Sequence, residues 1–255
     1  YHLLRWIREA INNLLPVAQL GGVAAGTRLL ARRGMPLSPA IASAIVDTTL
    51  EFISQIAFTL MGLALLIPGR PEHNIQNYAM AGVATASAVA AGLVAAQWLG
   101  VAKLIEWAAD RFGKNWGGGA GASGPRGLHD AIMALYRAPH RIAGGFLFHF
   151  AAWLLGSLEI YVSVIALGHP VGIVPCLIIE ALGQALKATG FAVPASIGVQ
   201  EGGFVVACGL FGLPPDVSIA VSLIRRLRDV VLGVPALAAW HWLEGRPHPA
   251  DVASL

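Results

Sequence analysis

The stretch Ala192 to Asp229, AVPASIGVQEGGFVVACGLFGLPPDVSIAVSLIRRLRD, places Glu201, Arg225, Arg226, Arg228 and Asp229 inside a run that otherwise reads as membrane. A charge near the bilayer centre costs roughly 3 kcal/mol on insertion scales, so such groups normally face a partner, a cavity or a substrate. Pro194, Gly198, Gly202 and Gly203 interrupt the helix at its start, and Leu213-Pro214-Pro215-Asp216 leads into a second, longer apolar helix. Proline removes a backbone donor and glycine relaxes the chain. The reading is a short broken hairpin followed by a true span, the arrangement by which transporters bring helix ends to membrane depth.

The same punctuation occurs earlier in the chain. Adding 178 to each number places Pro16 on Pro194, Gly34 on Gly212, Pro36 on Pro214, Ile41 on Ile219 and Ala42 on Ala220, without a gap. Asp47 then falls on Arg225 and Glu51 on Asp229, so each copy carries two ionisable groups one helical turn apart on one face. This spacing predicts a repeat, with a first copy at about residues 11–67 and a second at about 173–243, joined by residues 78–167 within a single transmembrane domain.

Composition supports that class. The chain of 255 residues is 56% hydrophobic and 12% charged, about half the charged share of a soluble domain. Several apolar runs approach the roughly 20 residues that a spanning helix needs. The expected fold is all-α: a polytopic helical membrane protein built from inverted-topology repeats, each a re-entrant hairpin plus a span. Cys176 and Cys208 are far apart and apolar in context, which suits buried small side chains and gives neither a disulfide framework nor metal-ligand spacing. A formal charge of +3, divided among separate loops, excludes a nucleic-acid surface. No cofactor, metal or catalytic residue is predicted, since the chain has no HExxH, DxxxD, nucleophile elbow or Gly-rich phosphate loop.

Taken in order, Tyr1 to Asn13 begins without Met and reads as an interfacial helix anchored by Trp6, with an upstream span expected to be missing. Leu14 to Ala31 is the first broken hairpin, divided by Pro16 and Gly21-Gly22. Ala40 to Ile67 is a span; Pro68 to Asn77 is a loop; Tyr78 to Gly100 returns as a helix of small residues. Val101 to Arg141 is a long polar loop with six Lys or Arg residues and a GGGAGASGP run. Ile142 to Leu167 crosses again, Ile173 to Phe211 is the second hairpin, and Val217 to Leu243 is the last span.

The basic residues Arg28 to Arg33, the loop 101–141 and the tail with Arg246 fall on one side. The loops 68–77 and 168–172 fall on the other, with one arginine between them. By the positive-inside rule the first side, including the C-terminus, is cytoplasmic. Three spans separate the hairpins, an odd number, which inverts the second copy. Cysteines placed at Ser123 and at His73 are therefore expected to label from opposite sides of the membrane; labelling of both from one side, read with an impermeant thiol reagent, would remove the inverted arrangement.

Asn12-Asn13-Leu14-Leu15-Pro16-Val17-Ala18-Gln19-Leu20-Gly21-Gly22, then Pro194-Ala195-Ser196-Ile197-Gly198-Val199-Gln200-Glu201 with Arg225-Arg226-Leu227 downstream, resemble the transmembrane region of the lysylphosphatidylglycerol synthase/flippase family. The resemblance covers nearly the whole chain and is closest to stand-alone membrane proteins associated with hopanoid biosynthesis. It implies inverted repeats with re-entrant helices in a bacterial inner membrane, and movement of a phospholipid or hopanoid-type lipid between leaflets. One position departs from it: where many members carry Gly-Glu, this chain has Gly22-Val23, and Val23 falls on Glu201 in the repeat.

The candidate substrate-binding residues are Glu201, Arg225, Arg226, Asp47, Glu51, Arg228, Asp229, Gly198 and Gly21. A guanidinium suits a lipid phosphate, and helix starts near Gly21 and Gly198 would offer free N–H groups. Each has a plainer reading. Arg225 or Arg226 can neutralise Asp47, Glu51 or Asp229 in a rigid bundle, and the repeat predicts such a pair near the midplane. Glu201 can cap its own helix, Glu159, Glu180 and Lys187 can be structural partners, and His149 can be a hydrogen-bonded core residue. Membrane lipids are the predicted partners; a second copy of the chain and a lipid-biosynthesis protein stay open. The alternatives to a lipid transporter are an integral membrane transferase acting on a lipid headgroup and a non-catalytic scaffold.

Overall fold

The computed structural model describes residues 2–15, 20–66, 125–189 and 198–244. Among these there are eight helices and no strand: α1 (His2–Leu14), α2 (Leu20–Arg32), α3 (Leu37–Leu66), α4 (Pro125–Tyr136), α5 (Pro139–Ala166), α6 (Ile173–Thr189), α7 (Val199–Gly209) and α8 (Pro215–Glu244). The predicted span at 78–100, the loop 68–77, the run 117–124, and the prolines at 16 and 194 lie outside the described residues. So do His73 and Ser123. The described residues are all-helical outside their turns, and α3 and α5 are each long and apolar enough to cross a bilayer.

Glycine and proline set the helix ends. Gly34 and Gly212 both adopt positive φ, 86° and 74°, which glycine takes without a side-chain penalty. After α2, Gly34 N–H donates to Ala31 O and Met35 N–H to Leu30 O; after α7, Gly212 N–H donates to Gly209 O and Leu213 N–H to Cys208 O. Both sets are the same C-terminal motif, in which the chain turns back on the last open carbonyls. Pro36 O then accepts from Ala40 N–H, and Pro214 O from Ser218 N–H. Every one of these pairs differs by 178, and α3 and α8, each 30 residues long, start 178 residues apart.

Packing crosses between the N-terminal and C-terminal helices. Helix α1 lies against α2 and α8, whereas α6 lies against α7 and α3. Leu4, Ile7, Ala10 and Ile11 of α1 are buried with Ala25 and Leu29 of α2 and Ala236 of α8. A second core joins α5, α6, α7 and α8 through Ile160, Val164, Cys176, Phe204, Cys208 and Val217. Both cysteines are free and buried. A methyl on Gly62 of α3 would overlap the Ala181 methyl of α6, so these two helices meet at backbone distance.

Helix directions follow from the contacts. Asp47 meets His149 and Ser54 meets Trp153, so α3 and α5 run the same way. Arg32 Nη1 donates to Glu244 O at 3.0 Å and Arg28 pairs with Glu244 at 3.3 Å, which sets the end of α8 beside the start of α3. Helices α3 and α8 therefore run in opposite directions.

The helix expected at the start of the chain spans His2–Leu14 and packs into the bundle: Ile7 and Ile11 are fully buried and Arg8 nearly so, because Arg8 has acidic partners on α3. One expectation is corrected here. The polar stretch 101–141 is not a loop throughout. Pro125–Tyr136 is helical, and its Leu128 and Ile132 pack on Ala42, Val46 and Leu50 of α3.

Candidate functional site

The charged residues gather in two clusters, one near each end of a polar strip. In the first, Arg8 of α1 donates to Asp47 Oδ2 at 2.5 Å and to Glu51 Oε2 at 3.1 Å on α3, and to its neighbour Glu9 at 3.2 Å. Asp47 and Glu51 are one turn apart, which lets a single guanidinium reach both. Arg5, one turn before Arg8, lies 3.5 Å from Asp47 and 3.1 Å from His149 Nδ1. His149 Nε2 lies 3.0 Å from Asp47 Oδ1. One ligand-type atom from each of Asp47, Glu51 and His149 lies within 4.8 Å of the others, and the Arg8 guanidinium pairs with the two carboxylates.

In the second cluster, Arg225 of α8 is buried with Glu180 of α6, its Nη2 2.8 Å from Glu180 Oε2, and its Nε lies 3.5 Å from Glu159 of α5. The guanidinium also sits 5.3 Å from the Phe204 ring centre, a cation–π distance. A Cβ on Gly156 would stand 2.6 Å from Glu180 Oε1, so only glycine lets α5 pass this pair. Arg228 pairs with Glu159 and, at 2.7 Å, with Asp229. Arg226 turns the other way, to Glu201 of α7 at 2.5 Å. Glu201 Oε2 in turn accepts the Gly198 N–H at 2.7 Å, capping its own helix.

Neutral polar groups fill the interval. Ser54 on α3 accepts from Trp153 Nε1 on α5 at 3.1 Å; Gln55 Nε2 donates to Gln184 O at 3.2 Å; Gln184 Nε2 donates to Glu180 Oε1 at 2.9 Å. His149 and Glu159 are ten residues apart on α5, so the clusters stand about 15 Å apart along that helix.

The expected pair between Asp47 or Glu51 and Arg225 or Arg226 does not form. Asp47 and Glu51 are held by Arg8, and Arg225 by Glu180 and Glu159. The cause is geometric. Asp47 and Arg225 occupy equivalent places in α3 and α8, each about 15 Å from its helix start, but the helices are antiparallel. Equivalent residues then lie at equal depth from opposite ends and coincide only at the exact centre. The helix start near Gly21 is also occupied from within, since Gly22 N–H donates to Asn12 Oδ1 at 3.0 Å.

Arg5, Arg8 and Gln184 were not singled out from the sequence as site residues. Two arginines spaced by three on a helix facing an Asp-Glu pair were the available signal. His149 is buried and hydrogen-bonded, as expected, but it is one member of the ion cluster. Glu159 and Glu180 are arginine partners, also as expected.

The fold and these buried ion pairs define a helical membrane protein that carries organised charge within its bundle. The family model described as lysylphosphatidylglycerol synthase TM region matches residues 3–236, and the chain belongs to that family. No curated protein and no solved structure matches it. The family makes this a membrane protein with a lipid-related function.

Proposed function

We propose that the chain is a lipid transporter that moves a phospholipid or hopanoid-type lipid between leaflets of the bacterial inner membrane. The observation that carries this reading is a row of separate polar contacts in an otherwise apolar bundle: Arg5 with Asp47 and His149, Ser54 with Trp153, Gln55 with Gln184 and Gln184 with Glu180, then Arg225 with Glu180 and Glu159, and Glu159 with Arg228. Such groups are costly in lipid and are kept where a polar headgroup passes. The proposed headgroup contacts are Arg226, Glu201 and Gly198 on one side of the strip and Asp47, Glu51, Arg228 and Asp229 along it, with Arg225 holding the bundle together beside them.

The shared turns at Gly34 and Gly212, the opposed directions of α3 and α8, and the crossed packing of α1 on α8 and α6 on α3 support an inverted repeat. In such folds the substrate passes between the halves. Exposed Arg33, Arg137 and Arg141 crowd the end where α3 and α5 begin, and 168–172 and 210–214 at the other end contain no Lys or Arg. That asymmetry supports a cytoplasmic α4–α5 turn and a cytoplasmic end of α8.

A scaffold is the second reading, favoured by one observation: Arg225, Arg226 and Arg228 each already have a carboxylate. A leaflet-resolved assay with labelled lipids in proteoliposomes separates the two. Arg226→Lys replaces a planar fork by a point charge and is expected to slow transport by about tenfold, about 1.4 kcal/mol, at normal protein levels. Glu201→Gln is expected to change headgroup preference while insertion is kept. Wild-type rates in both variants would leave the scaffold.

A further inference from the structure

Helix α8 is shared between two packing units. Its first half lies in the core of α5, α6 and α7 through Val217 and Val221, and its last turns lie in the core of α1 and α2 through Ala236. Among the described residues that second core takes nothing from α3 to α7. It is closed tightly on itself. A Cβ on Gly22 of α2 would stand 2.4 Å from Arg8 O of α1, and one on Gly233 of α8 would stand 2.4 Å from Leu14 Cδ1. Arg28 pairs with the Glu244 carboxylate and Arg32 with its carbonyl, tying α2 to the end of α8. The pairs that join α1 to α3 and α5 are of another kind, made by the ends of two long side chains: Arg8 with Asp47 and Glu51, and Arg5 with Asp47 and His149. We infer that α1, α2 and the part of α8 after Leu232 form a hinged flap, which Arg5 and Arg8 latch onto α3 and α5.

Two joints permit the movement. Pro235 lies inside α8. Proline has no N–H, so the Val231 carbonyl loses its helix partner, and the ring crowds that same carbonyl, which weakens the helix there. Between Arg228, held by Glu159 of α5, and Gly233, seated on Leu14, the side chains of Val230, Val231 and Leu232 are 45%, 59% and 52% exposed, so neither core splints this turn. The other joint is the turn at Gly34, whose positive φ ends α2 before α3 begins. The frame carries no matching break. In α3 the proline is Pro39, in the first turn, where it suits a helix, and the offset of 178 puts Ala57 where α8 has Pro235. A hinge needs only a few such positions between packed bodies. The flap stands at the Asp47 end of the polar strip, but its movement involves no lipid and is separate from the transport reading.

The test uses the full chain in lipid nanodiscs, with spin-labelled cysteines in place of Trp6 on α1 and Leu155 on α5, both exposed, while the native cysteines are buried. In the R8M chain, where the side chain no longer reaches Asp47 and Glu51, a second and longer distance is expected. Adding P235A, which restores the missing backbone donor, is expected to remove it. The variant R8M/D47N/E51Q, which takes away the two α3 carboxylates along with their arginine, reads the same shift if R8M alone does not fold. P235A by itself places a better helix former in α8 and is expected to narrow the distribution of the otherwise unchanged chain. A single distance in the latch variants would overturn the inference. So would a longer distance that survives P235A undiminished, or, with neither latch variant folded, a distribution that P235A leaves at its original width.

Discussion

Replacing Glu180 with leucine is expected to cost about 3–5 kcal/mol of stability, because it strands the Arg225 guanidinium in a buried site. Glu180 and Arg225 are both almost inaccessible, and among the described residues Arg225 reaches no other carboxylate closer than Glu159 at 3.5 Å. Removing both charges is a different matter, since a well-packed apolar pair of similar volume escapes the desolvation penalty altogether. The double variant Glu180→Leu with Arg225→Leu should therefore recover most of what the single variant loses. The folded fraction through an SDS titration in mixed micelles reads this directly. If the two losses simply add, the pair is not coupled and the second cluster has been misread.

The second large effect concerns the helix contact between α3 and α6. Gly62→Ala adds one methyl where the Ala181 methyl already sits, and neither group is the end of a flexible side chain that could swing away. The helices must separate, at a cost of about 1–3 kcal/mol for overpacking. Ala181→Gly opens the same space from the other side, so Gly62→Ala with Ala181→Gly should return to near wild-type stability. A thermal melt of the four proteins in one detergent closes the cycle. Tolerance of Gly62→Ala alone would show that the contact is looser than described.

Much of this arrangement was legible in the sequence for identifiable reasons. Gly34 with Pro36 and Gly212 with Pro214 mark the turns because few residues can occupy a left-handed helix end or begin a helix as well, so the offset of 178 survives in local geometry. The ends of α3, α5 and α8 followed from apolar length. Pairing across helices was not legible. Arg8 looked interfacial because its partners lie 39 and 43 residues away on α3, and spacing within one helix says nothing about which helix lies opposite. The expectation that Asp47 meets Arg225 treated equivalent places in α3 and α8 as equal depths. In the candidate site, the charges were found by their cost in lipid, while the neutral links Ser54, Trp153 and Gln184 carried no such signal.

The crossed packing of α1 on α8 also bears on how the chain is made. The first helix leaves the ribosome about 200 residues before the helix that covers it, which at typical synthesis rates is a wait of about 10–40 s. During that interval Arg8 already has Asp47 and Glu51, supplied by α3 within the next few tens of residues, but Ala10 and Leu14 have no Gly233 to rest against. The ion pairs near Asp47 can close early and hold the N-terminal half in a defined shape. Its apolar flank stays open until the last helix arrives. A chain truncated before α8 would thus keep the Arg8 pairs but leave Glu159, Glu180 and Glu201 without their arginines and the α1 seam unfilled, a surface that quality-control proteases could distinguish from the finished protein.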